Sequence, residues 1–324
     1  MTEQHPDLDL NYIGGRKAYS ISALGTSAIF IVVSVIQIVA VVLISLFAPD
    51  FTKSEYYIWV VAELPMYLLG FPAGFLILKL AVPAVRPEKR KMSFSVFMTA
   101  LCVSMLAISM GSAVGQAVAS ISEKLFGRAS TDSLDMFLDN GLLSLVFIAL
   151  IGPVFEELFF RKFVIDRVLP YGEKTAVLFS AFVFALFHGN LEQFFYAFAV
   201  GIVFGYIYVR YGTAVPGMIL HIMINLYGGV LTPWLSSKVG EIDTSLIETF
   251  TNPYLYVISA LGVLRLAISL TGLILLIVFR KRIFFTKQPN ELAPGSAGRA
   301  VFLNVGMVIF IIIEAANIVL SFLQ

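Results

Sequence analysis

Cysteine is almost missing: the 324-residue chain has one, Cys102, inside an apolar run. An intrachain disulfide is therefore excluded, and so is a cysteine-based metal cluster. Charge is also scarce, at 13% of residues against about a quarter in a soluble domain. The net charge of +1 offers no basic surface for a polyanion, so no nucleic-acid partner is expected. Histidine occurs only three times, and the contiguous His-Glu-x-x-His motif of zinc hydrolases is lacking. Neither an internal repeat of about 20–50 residues nor a separate soluble domain is found.

What is abundant is apolar. Hydrophobic residues make up 59% of the chain, and the mean hydropathy is +0.90. A backbone crossing a bilayer must satisfy its own polar groups, and apolar runs of about 20 residues do so as helices. The chain therefore reads as an all-α, polytopic membrane helix bundle of eight or nine spans, with the lipid bilayer as its first partner. Spans are expected near 20–48, 56–82, 93–120, 141–169, 174–188, 192–210, 214–234, 253–279 and 300–323. Two polar connectors, 120–140 and 236–252, separate them, and a Pro- and Gly-containing linker covers 287–299. The organisation expected is N-terminal helices over 1–140, a core over 141–234 and C-terminal helices over 235–324. The first apolar run is longer than a signal-peptide core and is expected to be retained.

Basic residues are divided unequally between alternate loops. Fifteen fall on one side, with Arg86, Lys89, Arg90, Lys91 and Arg280, Lys281, Arg282 as dense groups, against four on the other. The positive-inside rule then places the N-terminus in the cytoplasm. In a prokaryote the membrane would be the plasma membrane. The run 174–188 is short for a crossing and joins the next through His188-Gly189-Asn190, so this hairpin is expected to turn inside the bilayer.

Within this apolar background, Glu156, Glu157 and Arg161 are out of place. Each charge costs about 2.5–3.5 kcal/mol at a helix centre in a bilayer. On a helix, Glu157 and Arg161 are i,i+4 neighbours and can pair, whereas Glu156 is rotated by about 100° and lacks that partner. A structural ion pair would thus adjoin a carboxylate with other work. His188, with Phe184 one turn before it, and His221, with Asn225 one turn after it, lie in later spans. Counting from the cytoplasmic helix ends puts Glu156, His188 and His221 about 20, 20 and 12 Å deep, so they can meet. A glutamate beside a histidine can hold and deprotonate water, and a histidine with an amide can donate to an oxyanion.

Taken in order, Glu156-Glu157-x-x-x-Arg161, Phe184-x-x-x-His188 and His221-x-x-x-Asn225 resemble the three-part signature of the CPBP family. These are type II CAAX prenyl endopeptidases and bacteriocin-processing or self-immunity membrane proteases. The resemblance spans roughly 150–228. It implies an intramembrane endopeptidase acting on a peptide or membrane-protein substrate. Glu156 and His188 would activate water, and His221 and Asn225 would stabilise the oxyanion. Glu157 and Arg161 would hold the helices together, with Phe184 in a supporting place. Two mechanisms stay open: one Glu and two His form a recognised zinc set, while a metal-free glutamate mechanism needs no cofactor. The spacing favours the second, because His221 and Asn225 share a helix face. A non-proteolytic scaffold or regulator retaining the fold is the alternative. Gly201 and Gly205 are read as a close-packing pair. Glu63, Arg265 and Glu314 are read as charges paired inside the bundle.

Overall fold

The computed structural model describes residues 10–126, 141–239, 252–293 and 295–322. All the regular structure among them is helical. Seven helices are long and apolar enough to cross a membrane: α1 (Leu10–Phe47), α2 (Trp59–Ala81), α3 (Phe94–Lys124), α4 (Gly141–Tyr171), α6 (Leu191–Tyr211), α7 (Val215–Val239) and α8 (Pro253–Arg282). Two apolar helices are shorter, α5 (Glu173–Leu186) and α10 (Val305–Ser321). A short α9 (Ala297–Phe302) precedes α10. The chain is an integral, multi-pass, all-α membrane protein.

The last apolar run, expected as one helix, is two. The break falls at Leu303 and Asn304, where the Asn304 side chain accepts from Met307 N–H at 2.8 Å and so caps α10. An asparagine ahead of an apolar run supplies that cap. The connector expected over 120–140 begins as a continuation of α3 to Phe126, and its residues 127–140 lie outside those described. The second connector is helical to Val239, and its residues 240–251 also lie outside.

Lipid is as apolar as a leucine side chain, so burial alone gives helices in a membrane little reason to associate. Close approach and polar contacts must do it. Leu46, Val263, Leu266 and Ile312 are each more than half exposed, as lipid-facing residues are. Inside the bundle, a Cβ placed on Gly201 would lie 3.0 Å from Ala181 Cα, so α6 and α5 meet backbone to backbone. The Gly201–Gly205 pair therefore marks the α5–α6 contact. A second such pair, Gly111 and Gly115, lets α3 meet the α6 backbone at Tyr196 and Glu192.

The α5–α6 hairpin turns through Gly189, whose φ of 67° is open to glycine at little cost. Asn190 then fixes the turn: its Oδ1 accepts from Gln193 N–H at 2.8 Å and its Nδ2 donates to His188 O at 3.1 Å. Further buried charge ties the helices together. Tyr208 of α6 donates to Asp166 of α4 at 2.5 Å, Arg167 of α4 donates to Leu78 O of α2 at 2.6 Å, and Arg210 of α6 bonds Glu173 of α5 at 2.5 Å.

Three helices depart from regular α-geometry, each beside a polar residue of the core. Turns with i→i+5 hydrogen bonds widen α2 at Trp59–Glu63 and Met66–Gly70, α4 at Ser144–Ile151 and Glu157–Ile165, and α7 at Leu226–Leu231. Such turns are rare and gather at functional sites.

Candidate active site

The site grows from the junction in α4 where an ordinary helical turn, Gly152–Glu156, gives way to the widened one. Glu157 and Arg161 are both fully buried. Arg161 Nε donates to Glu157 Oε2 at 3.1 Å and Nη2 donates to Oε1 at 3.2 Å, a two-pronged grip that suits a planar guanidinium. The third nitrogen, Nη1, donates to Ser180 Oγ on α5 at 3.0 Å, and that hydroxyl donates back to Phe160 O at 2.8 Å. The guanidinium also lies 4.7 Å above the Phe184 ring. One cation thus fastens α4 to α5, the helix that ends two residues before His188.

Room for Glu157 comes from α7. A Cβ at Gly217 would sit 2.9 Å from Glu157 Oε2, so any side chain there would displace the carboxylate.

Glu156 has a different environment. Its side chain keeps 18% of its accessibility, and its Oε2 is buried with no hydrogen bond. The His221 imidazole faces it, with Nε2 3.6 Å from that oxygen. The other ring nitrogen, Nδ1, faces Glu157 Oε1 at 3.4 Å. His221 therefore stands between the two glutamates, packed edge-on against Phe184 at 5.8 Å and tilted against Phe204 at 5.6 Å.

His188 joins this group through Phe184, whose ring it meets edge-on at 4.9 Å. Its Nδ1 lies 2.9 Å from Phe184 O. A carbonyl oxygen can only accept, so Nδ1 carries a proton in this bond. Asn225, one turn beyond His221, donates from Nδ2 to Ile148 O at 3.0 Å. One of its two N–H bonds is thereby committed to the widened turn of α4.

Glu156, Glu157, Arg161 and His221 thus form one contact group, to which Phe184 joins His188 and Ile148 joins Asn225. Among the described residues, no three His, Cys, Asp or Glu side chains converge as a metal-holding set. Glu156, His188 and His221 are not such a set in this arrangement.

The other intramembrane charges depart from expectation. Among the described residues, Glu63, Arg265 and Glu314 have no oppositely charged partner. Glu314 is instead bonded by Asn317 Nδ2 at 3.2 Å, and Arg265 lines a cavity of about 330 Å³ with Ser109, Tyr227 and Thr232. Glu63 lies within electrostatic reach of Tyr67 and Glu156. The reading of these groups as ion pairs assumed a countercharge, whereas a neutral donor serves a carboxyl group in a dry site at lower desolvation cost. A site signal for Glu63 does exist in the sequence, a Glu with a Tyr one helical turn later inside an apolar span.

Comparison with curated proteins and with solved structures found no match. A family model does match, and it covers every site residue named above from Glu156 to Asn225. The match, over residues 138–227, is to the type II CAAX prenyl endopeptidase Rce1-like model, consistent with the CPBP family that the three motifs resemble.

Proposed function

We propose that the protein is an intramembrane endopeptidase in which Glu156 is the base. The observation that carries this reading is the contrast at one helix junction. Glu157 is gripped by Arg161, while the buried Oε2 of its neighbour Glu156 has no hydrogen bond and faces His221 at 3.6 Å.

In the proposed reaction, Glu156 takes a proton from water while the Nε2 lone pair of His188 orients that water. The water oxygen adds to the scissile carbonyl carbon. His221 and the second N–H of Asn225 donate to the developing oxyanion. Collapse breaks the C–N bond, and Glu156 returns its proton to the leaving amine, so the carboxylate is regenerated. If zinc were held by Glu156, His188 and His221, it would polarise the carbonyl and acidify the water. The chain's own groups account for the same proton transfers. Activity that survives exhaustive chelation would support the metal-free form. One zinc per chain, lost with activity and restored by zinc alone, would reject it.

The family match supports a substrate with its scissile bond near the membrane surface, with a lipidated Cys-aliphatic-aliphatic-X terminus as the first probe. Cells or vesicles carrying wild type and Glu156→Gln should differ in membrane peptides, with uncleaved species accumulating in the variant. Identical peptide profiles, together with wild-type turnover of the farnesylated probe by Glu156→Gln, would leave the scaffold reading in its place.

A further inference from the structure

The second span brings a polar pair to the site that the three motifs do not include. Tyr67 is held by rings on three sides: stacked on Phe71 at 5.9 Å, stacked on Phe147 at 5.9 Å and edge-on to Phe155 at 5.2 Å. Phe147 and Phe155 belong to α4, on either side of Gly152. The ring is therefore fixed by the helix that carries the catalytic base. Its hydroxyl is aimed at the α4 junction. A Cβ at Gly152 would lie 3.1 Å from Tyr67 OH and 3.9 Å from Glu156 Oε1, so the two oxygens border one point that glycine leaves open. One turn back on α2, the Glu63 carboxyl group lies near that hydroxyl, and Glu156 is within electrostatic reach of both. The groups facing Glu156 are therefore His221 from α7 on the Oε2 side, and Tyr67 with Glu63 from α2 on the other. Its chain neighbour Glu157 is already taken by Arg161.

We propose that Tyr67, anchored by its three aromatic neighbours, is a positioning residue of the active site, whose hydroxyl holds the Oε1 side of Glu156 while His221 faces Oε2. The two oxygens share no direct hydrogen bond here, so the contact passes through one bridging water, which transmits orientation nearly as well as a direct bond. Held from both sides, the carboxylate keeps one lone-pair direction toward the attacking water. A carboxylate free to rotate would spend much of its time misdirected, and small misplacements of a reacting group cost up to about a hundredfold in rate. Glu63 and Tyr67 each lie in a widened turn of α2.

This inference rests on the peptidase reading, and its test separates the two. Wild type, Tyr67→Phe, Glu63→Gln and Glu156→Gln are purified in detergent. The Glu156 carboxylate band is assigned by infrared difference between wild type and Glu156→Gln. Kinetics are followed with a farnesylated, internally quenched Cys-aliphatic-aliphatic-X peptide in phosphatidylcholine vesicles. Tyr67→Phe keeps the ring and its three neighbours, so its melting temperature should match wild type. The expected results are a shifted Glu156 band, a kcat lower by about tenfold to a hundredfold, an unchanged KM and a displaced pH profile of kcat. Glu63→Gln keeps an acceptor for the hydroxyl and should show the same changes at smaller size. If either variant fails to fold, the other carries the same readouts. A wild-type band in Tyr67→Phe overturns the proposal whatever the rate, and so does a shifted band with unaltered kcat. Should Glu156→Gln cleave the peptide like wild type, the peptidase reading fails. Should wild type leave the peptide uncut, the band alone decides whether Tyr67 holds Glu156.

Discussion

The stretch of α4 from Glu157 to Arg167 and the single turn that carries Glu156 share a helix, a membrane and a set of phenylalanines. They differ in how their polar atoms are met. In the first region Arg161 uses three nitrogens on Glu157 and Ser180, Asp166 takes the Tyr208 hydroxyl, and Arg167 reaches the carbonyls of Leu78 and Phe163. In the second, Glu156 Oε2 and His221 Nδ1 are buried without a hydrogen bond. A buried polar atom left unmet costs about 1–3 kcal/mol, so a protein keeps one only where something is gained by it. The saturated region holds helices in register. The unsaturated one has hydrogen-bonding capacity in reserve for water and substrate.

That contrast can be broken from either side. The largest effect is expected for Glu156→Gln, which should lower turnover by about 10²–10⁴-fold, the usual contribution of a general base, with yield and melting unchanged. Next is Glu157→Gln, which strands a fully buried guanidinium and should cost about 3–5 kcal/mol of stability. Thermal unfolding in detergent measures it, and Glu157→Leu with Arg161→Leu should recover much of the loss because no charge is left unpaired. Exchanged phenotypes for the two glutamates would mean that the saturated and unsaturated regions have been assigned in reverse. Ser180→Ala sharpens the comparison. It removes the acceptor of Arg161 Nη1 and the donor to Phe160 O, and should lower the melting temperature through a loss of about 1–3 kcal/mol. The smallest effect is expected far from both regions. Asp50 and Lys53 form a pair at 3.8 Å with nearly full exposure, and Asp50→Asn should leave melting and turnover at wild-type values.

Much of this could be read in advance because charge in an apolar chain is conspicuous. The i,i+4 relation of Glu157 and Arg161 needs only helical geometry, and it appears as a two-pronged bond. The hairpin at His188-Gly189-Asn190 was legible from the shortness of its first arm and its lack of a loop. Other features leave weaker traces. The widened turns follow from packing between helices, and no residue pattern announces them. Tyr67 is one tyrosine among thirteen, and only its place one turn after Glu63 sets it apart. The Asn225 bond to Ile148 O depends on how α7 crosses α4, a tertiary fact. Gly111 and Gly115 carry the same spacing as Gly201 and Gly205, so that contact was available to the same argument.

The short α5 has a consequence for how the protein is made. At 14 residues it rises about 21 Å, well under the thickness of about 30 Å that a full crossing requires. Its tip at Gly189 meets α10: a Cβ there would lie 3.5 Å from Asn317 Cβ and 4.0 Å from Glu314 Oε2. α10 in turn docks on α1, where Gly306 N–H donates to Ser20 Oγ at 2.9 Å. The hairpin tip is therefore covered by a helix that the ribosome delivers more than a hundred residues later. Until then its turn and the His188 beside it wait in a half-built bundle. Insertion of the hairpin and the covering of its tip are therefore separate events along the chain.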